Sequence, residues 1–144
     1  MFRKGFTLVE LMIVILIVAI LAAVAIPLMT GRIDAAKWSE AKASMGTIAT
    51  ALRGYYAEKG CDSTVPPSMT SGNAGFIGVT TNDLDGTNYT ANAYTLAAAT
   101  CTPATGKVTF TINCVADDSG RAAAPTTPAS MQLIEGGSGA YFTP

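Results

Sequence analysis

Residues 6–26 read FTLVELMIVILIVAILAAVAI, an unbroken apolar run that holds one charge, Glu10, close to its start. A helix of these 21 residues spans about 32 Å at 1.5 Å per residue, which matches the hydrocarbon thickness of a bilayer. A carboxylate opposes insertion by about 2.5–3.5 kcal/mol at mid-membrane and by less near a helix end. Fourteen Leu, Ile, Val and Phe residues in the run favour insertion by roughly 4–8 kcal/mol. The run therefore inserts, and an acid at that depth calls for a partner. Just before it lie Met1-Phe2-Arg3-Lys4-Gly5, a short basic leader. A cut between Gly5 and Phe6 would free a positive α-amine one helical turn from Glu10, on this chain or on a neighbouring one.

The stretch KGFTLVELMIVILIVAILAAVAIP, residues 4–27, resembles the N-terminal signature of type IV pilins and type II secretion pseudopilins. The resemblance implies an α+β, pilin-like fold with a long N-terminal helix packed on a small antiparallel β-sheet. It implies leader cleavage after Gly5 by a prepilin peptidase and N-methylation of Phe6. Glu10 would then pair with a neighbouring subunit's terminal amine, so that Glu10 and Phe6 direct assembly, and Pro27 would bend the helix. Many relatives carry glycine in mid-helix where this chain has Ala19, and alanine favours helix by about 1 kcal/mol over glycine.

The implied partners are other copies of the chain in a helical filament, the pilus or secretion assembly machinery, and the membrane. The implied location is the inner, cytoplasmic membrane as a single-pass protein before assembly and an extracellular pilus after it. The implied function is that of a structural pilin, with a periplasmic pseudopilus subunit as the alternative. From the residues alone, Ala23-Val24-Ala25 also supplies an A-x-A site whose use would release a secreted binding domain beginning at Ile26. Against it stand the length of the run, the charge within it, and a helical pattern that continues past the cut.

Beyond Pro27, Ala41, Met45, Ile48, Leu52 and Tyr55 recur at the spacing of an amphipathic helix that covers a core, while Lys42, Thr50 and Arg53 occupy the other face. The pattern predicts one helix from Phe6 to Lys59, closed by Gly60 and kinked at Pro27. The chain thus divides into a leader (1–5), a transmembrane and assembly helix (6–29), the amphipathic half of that helix (30–60) and a β-rich head (61–144). In the head, Lys107–Cys114 alternates apolar and polar residues and reads as a strand, with Tyr94–Ala97 as its hairpin partner across a loop at 102–106. Phe76–Val79 and Met131–Ile134 are further candidate strands. Residues 122–127 and 136–144 read as loop.

Composition excludes several functions. The sequence has 9 basic and 10 acidic side chains, and loss of Arg3 and Lys4 with the leader makes it more acidic. Nothing in that charge recommends nucleic acid as a specific partner. There is no histidine, no glycine-rich phosphate loop and no nucleophile beside a base, so the chain reads as neither an enzyme nor a cofactor carrier. Asp83 and Asp85, within Asn82-Asp83-Leu84-Asp85-Gly86, form a fragment of a calcium loop that lacks its distant glutamate, and a turn is the simpler reading. Asn88-Tyr89-Thr90 matches a glycosylation triplet.

Cys61, Cys101 and Cys114 lie in the part of the chain that the resemblance places outside the cytoplasmic membrane, where disulfides persist. The odd count leaves one of them over. A hairpin of the kind described sets Cys101 and Cys114 at opposite ends of the paired strands. A bond needs Cα atoms within about 7 Å, so the pairing stays open between Cys101–Cys114 and a bond that uses Cys61.

Overall fold

The computed structural model describes residues 5–62, 77–116, 125, 127–136 and 139–144. Its longest element, α1, runs from Leu8 to Lys59. The chain separates into two compact units, Met1–Ile33 and Asp34–Pro144.

Among its described residues the first unit is helix from Leu8 onward and holds no core of its own. Its large apolar side chains from Leu8 to Met29 are 51 to 74% exposed. Such a surface is stable only against lipid or another protein. The helix continues through Pro27, whose carbonyl oxygen accepts the Thr30 hydroxyl at 3.0 Å.

The second unit is α+β. Its sheet has four antiparallel strands in the order β1-β2-β3-β4, namely Tyr94–Thr102, Lys107–Val115, Ser130–Gly136 and Gly139–Thr143. Along α1, Trp38, Ala41, Met45, Ile48, Ala49, Leu52 and Tyr56 are buried. The predicted stripe is therefore the packed face, with Tyr56 rather than Tyr55 as its last fully buried member and Trp38 as a first member that the periodicity omitted. Leu96, Phe110, Ile112, Cys114, Met131 and Leu133 face it from alternate positions of three strands, which is the period-2 pattern that buries one face of a sheet.

Two glycines end elements where only a left-handed backbone serves. Gly60, at φ 83°, closes α1 and donates its N–H to Tyr56 O at 3.0 Å. Gly106, at φ 65°, closes the β1–β2 turn onto Thr102 O at 2.8 Å. The β1–β2 pairing matches Tyr94 with Cys114, Leu96 with Ile112 and Cys101 with Val108, and the register shifts between Leu96 and Ala98. The extra residue is Ala97, and a one-residue bulge turns the following side chains to the opposite face. Ala99 and Cys101 thus point to the helix side with Phe110 and Val108.

Two readings need correction. Residues 139–143, expected as loop, form β4, in which Leu133 pairs with Phe142 and Ile134 with Tyr141. Low core content misled there: all five β4 residues lie outside the buried core, so no apolar periodicity marks the strand, and backbone pairing defines it. Of the Phe76–Val79 candidate, Phe76 lies outside the described residues and 77–79 form no strand. Ile77 and Val79 are nevertheless buried in the core, which explains their apolar character.

Cys114 is the free cysteine and is fully buried between sheet and helix. Burial pushes its thiol up to about 12 from 9.0. Burial likewise raises the phenols of Tyr89 and Tyr94 above their ordinary value. A raised folded-state pKa contributes stability that is complete below the unfolded value and is lost as pH rises toward the folded one. Stability is therefore expected to fall between pH 9 and 12, with a shallower fall in Cys114→Ala, as read from urea midpoints. Alkylation of the native thiol at pH 8 should proceed only as fast as the unit opens.

Candidate assembly site

The start of α1 is built by Thr7 and Glu10. The Thr7 N–H donates to Glu10 Oε2 at 2.9 Å and the Thr7 hydroxyl donates to the same oxygen at 2.8 Å, while the Glu10 N–H donates back to Thr7 Oγ1 at 3.2 Å. This is a capping box: the threonine caps the first turn, and the acid three residues later returns to the cap's own N–H. It fixes the helix start at Leu8 rather than at Phe6. It also satisfies part of the carboxylate's hydrogen-bonding capacity within its own turn, which lowers the cost of placing that group among apolar side chains.

Around the box the surface is apolar and uncovered. Phe6 is 83% exposed, and Leu8, Val9, Leu11, Met12 and Ile13 are all exposed. Gly5 and Phe6 precede the helix in non-helical backbone, and a side chain at Gly5 would meet nothing within 4 Å. Gly5, Phe6 and Glu10 are thus gathered at one helix end, with Pro27 about 26 Å farther along α1 at 1.5 Å per residue. Thr7 is the residue that the sequence reading passed over. Its signal was present as T-x-x-E directly before an apolar run.

The remaining candidates lie in the second unit. The disulfide joins Cys61 to Cys101, with Cα atoms 4.9 Å apart. Cys101 pairs with Val108, six residues from Cys114 on β2, or about 20 Å along a strand. A Cys101–Cys114 bond is therefore out of reach. Asp83 Oδ2 accepts the Thr80 N–H at 2.8 Å and the Thr80 hydroxyl at 2.7 Å, capping the short helix Thr81–Leu84, α2. These bonds hold its carboxyl below the usual range. Asp85 Oδ1 accepts the Ala91 N–H at 2.8 Å. Both acids of the calcium fragment thus accept backbone N–H groups, and no cluster of three metal-ligating side chains occurs among the described residues. A second acidic pair in the sequence, Asp117-Asp118, lies outside the described residues.

The Asn88-Tyr89-Thr90 triplet is held to α1 by Glu40. The Glu40 carboxylate accepts the Asn88 N–H at 2.9 Å, the Asn88 side-chain amide at 2.7 Å and the Tyr89 N–H at 3.2 Å. The Asn88 amide nitrogen is therefore occupied by a protein partner. Gly86 lies against the Glu40 carboxylate with no room for a Cβ. Glu40→Ala strands these donors and should cost about 2 kcal/mol by urea denaturation. Gly86→Ala, which displaces the same carboxylate, should cost a similar amount.

Comparison with known proteins agrees with the geometry at the helix start. Residues 1–26 match the family model described as the prokaryotic N-terminal methylation motif. The chain is 36% identical over 120 residues to the type IV major fimbrial protein FimA of Dichelobacter nodosus, an alignment that covers 82% of this chain and 67% of that protein. The chain belongs to the type IV pilin family. Among other pilin relatives it is 46% identical over 57 residues to the type IV major pilin protein PilA of Myxococcus xanthus, covering 40% of this chain and 26% of that protein. To the type II secretion system core protein G of Pseudomonas aeruginosa it is 45% identical over 53 residues, 37% of either chain. In these two the pilin match spans well under half of the relative's length. No solved structure matches the chain significantly.

Proposed function

We propose that this pilin is a structural subunit of a type IV pilus. In this reading it resides in the inner membrane through residues 6–29 and is trimmed after Gly5 by a prepilin peptidase. It is then N-methylated at Phe6 and assembled through its apolar helix into a filament on the cell surface. Residues 61–144 form the exposed head.

The observation that carries the reading is the apolar half of α1. Its large apolar side chains are exposed, and it begins at a capped first turn that holds the Glu10 carboxylate. In a bundle of such helices the apolar surface leaves lipid for neighbouring subunits, and Glu10 meets a neighbour's amine at one axial offset only. An unpaired carboxylate at any other offset would cost several kcal/mol. Glycines lend further support. Gly46 and Gly54 each weaken α1 by about 1 kcal/mol relative to alanine. Among the described residues a Cβ at either would meet nothing within 4 Å. Their smallness suits close approach by another subunit's helix.

The likeness to the type II secretion core protein favours a second reading, in which the same assembly chemistry builds a short periplasmic pseudopilus. Shearing cells at native expression and imaging the supernatant distinguishes the two. Long filaments that carry this chain support the pilus, and filaments that appear only on overexpression support the pseudopilus.

A further inference from the structure

Where α1, the segment before β1, and strands β1 and β2 meet, more polar hydrogen is buried than the protein itself satisfies. Trp38, Tyr89 and Tyr94 are at most 2% exposed, and their rings form a chain, Trp38 to Tyr89 at 5.5 Å and Tyr89 to Tyr94 at 6.2 Å between centroids. The Trp38 indole N–H and the hydroxyls of Tyr89 and Tyr94 are all inaccessible and all without a hydrogen-bond partner among the described residues. Folded proteins leave such donors unpaired rarely, because each then bears its full desolvation penalty. Burial first, and after it the field of the Cys114 thiol, the Tyr94 phenol and the Glu40 and Asp34 carboxylates, disfavours ionisation of the Tyr89 phenol.

We propose that this junction is an internal hydration site, in which one ordered water accepts the Trp38 indole N–H and bridges it to the Tyr89 hydroxyl. A buried water ordinarily makes two to four hydrogen bonds to otherwise unsatisfied buried polar groups, which the indole N–H and the phenol hydroxyl supply here. The bridge would fasten Tyr89 to α1 in addition to the bonds that Glu40 accepts from Asn88 and from the Tyr89 N–H.

The chain has one tryptophan, so its indole N–H gives a single side-chain NMR signal in the full-length protein in detergent micelles. Cross-relaxation between that proton and a long-lived water is expected. It should weaken at least fivefold in Tyr89→Phe, which keeps the ring contacts, and that variant should melt several degrees lower. A wild-type indole proton with no water cross-peak, or a Tyr89→Phe variant that melts higher, would overturn the proposal. The higher melting point is what removal of a dry, unpartnered hydroxyl produces.

Discussion

Glu10→Val is expected to leave membrane insertion intact and to reduce sheared filament to less than a tenth of the wild-type yield. Insertion improves when the acid is replaced, because an apolar residue removes a penalty of about 2.5–3.5 kcal/mol at most. In the proposed filament, assembly loses the one charge that distinguishes correct axial register from its neighbours on an otherwise uncharged, largely apolar surface. Apolar contacts are non-directional, so sliding one helix past another by a turn alters buried area little, whereas it separates an ion pair completely. Equal membrane fractions with absent filaments would fit this account. Wild-type filament yield from the variant would remove Glu10 from the assembly mechanism.

The second large effect concerns the disulfide. Cys61 lies just past the end of α1 and Cys101 near the end of β1, so their bond closes a loop with a sequence separation of 40. Chain entropy for such a loop gives about 4 kcal/mol, and native disulfides usually deliver 2–5 kcal/mol. Cys61→Ser and Cys101→Ser should each lower stability by about 2–4 kcal/mol, and the double variant should fall no further than either single one, because the two residues share one interaction. The readout is the urea midpoint under oxidising conditions, alongside a non-reducing peptide map. A harmless Cys61→Ser, or a map that joins Cys101 to Cys114, would contradict the pairing.

Sequence pattern revealed the fold wherever burial imposed a period. The 4-3-4 spacing from Ala41 to Leu52 identified the packed face of α1, and the alternation in Lys107–Cys114 identified β2, since both patterns record which side faces the core. β4 left no such record, because none of its five residues enters the core. The disulfide was unreadable for a different reason. Its geometry depends on where α1 ends relative to the far end of β1, a tertiary relation that no local pattern encodes. At the helix start the important acid was plain as the single charge in an apolar run, while its companion Thr7 passed unnoticed because a threonine beside a transmembrane stretch looks unremarkable without its partner three residues on. Asp83 and Asp85 show the converse: acids at ligand-like spacing accept backbone N–H groups of their own segment, Asp83 at the cap of α2 and Asp85 from Ala91.

Assembly as proposed requires a new amine, generated by cleavage after Gly5, one turn from Glu10. Intact mass and N-terminal sequencing of the chain recovered from sheared native filaments test this most directly. The predicted result is a polypeptide that begins at Phe6 and carries one added methyl group on its terminal nitrogen. Filaments built from chains that retain Met1–Gly5, or from chains that begin at Ile26, would contradict it.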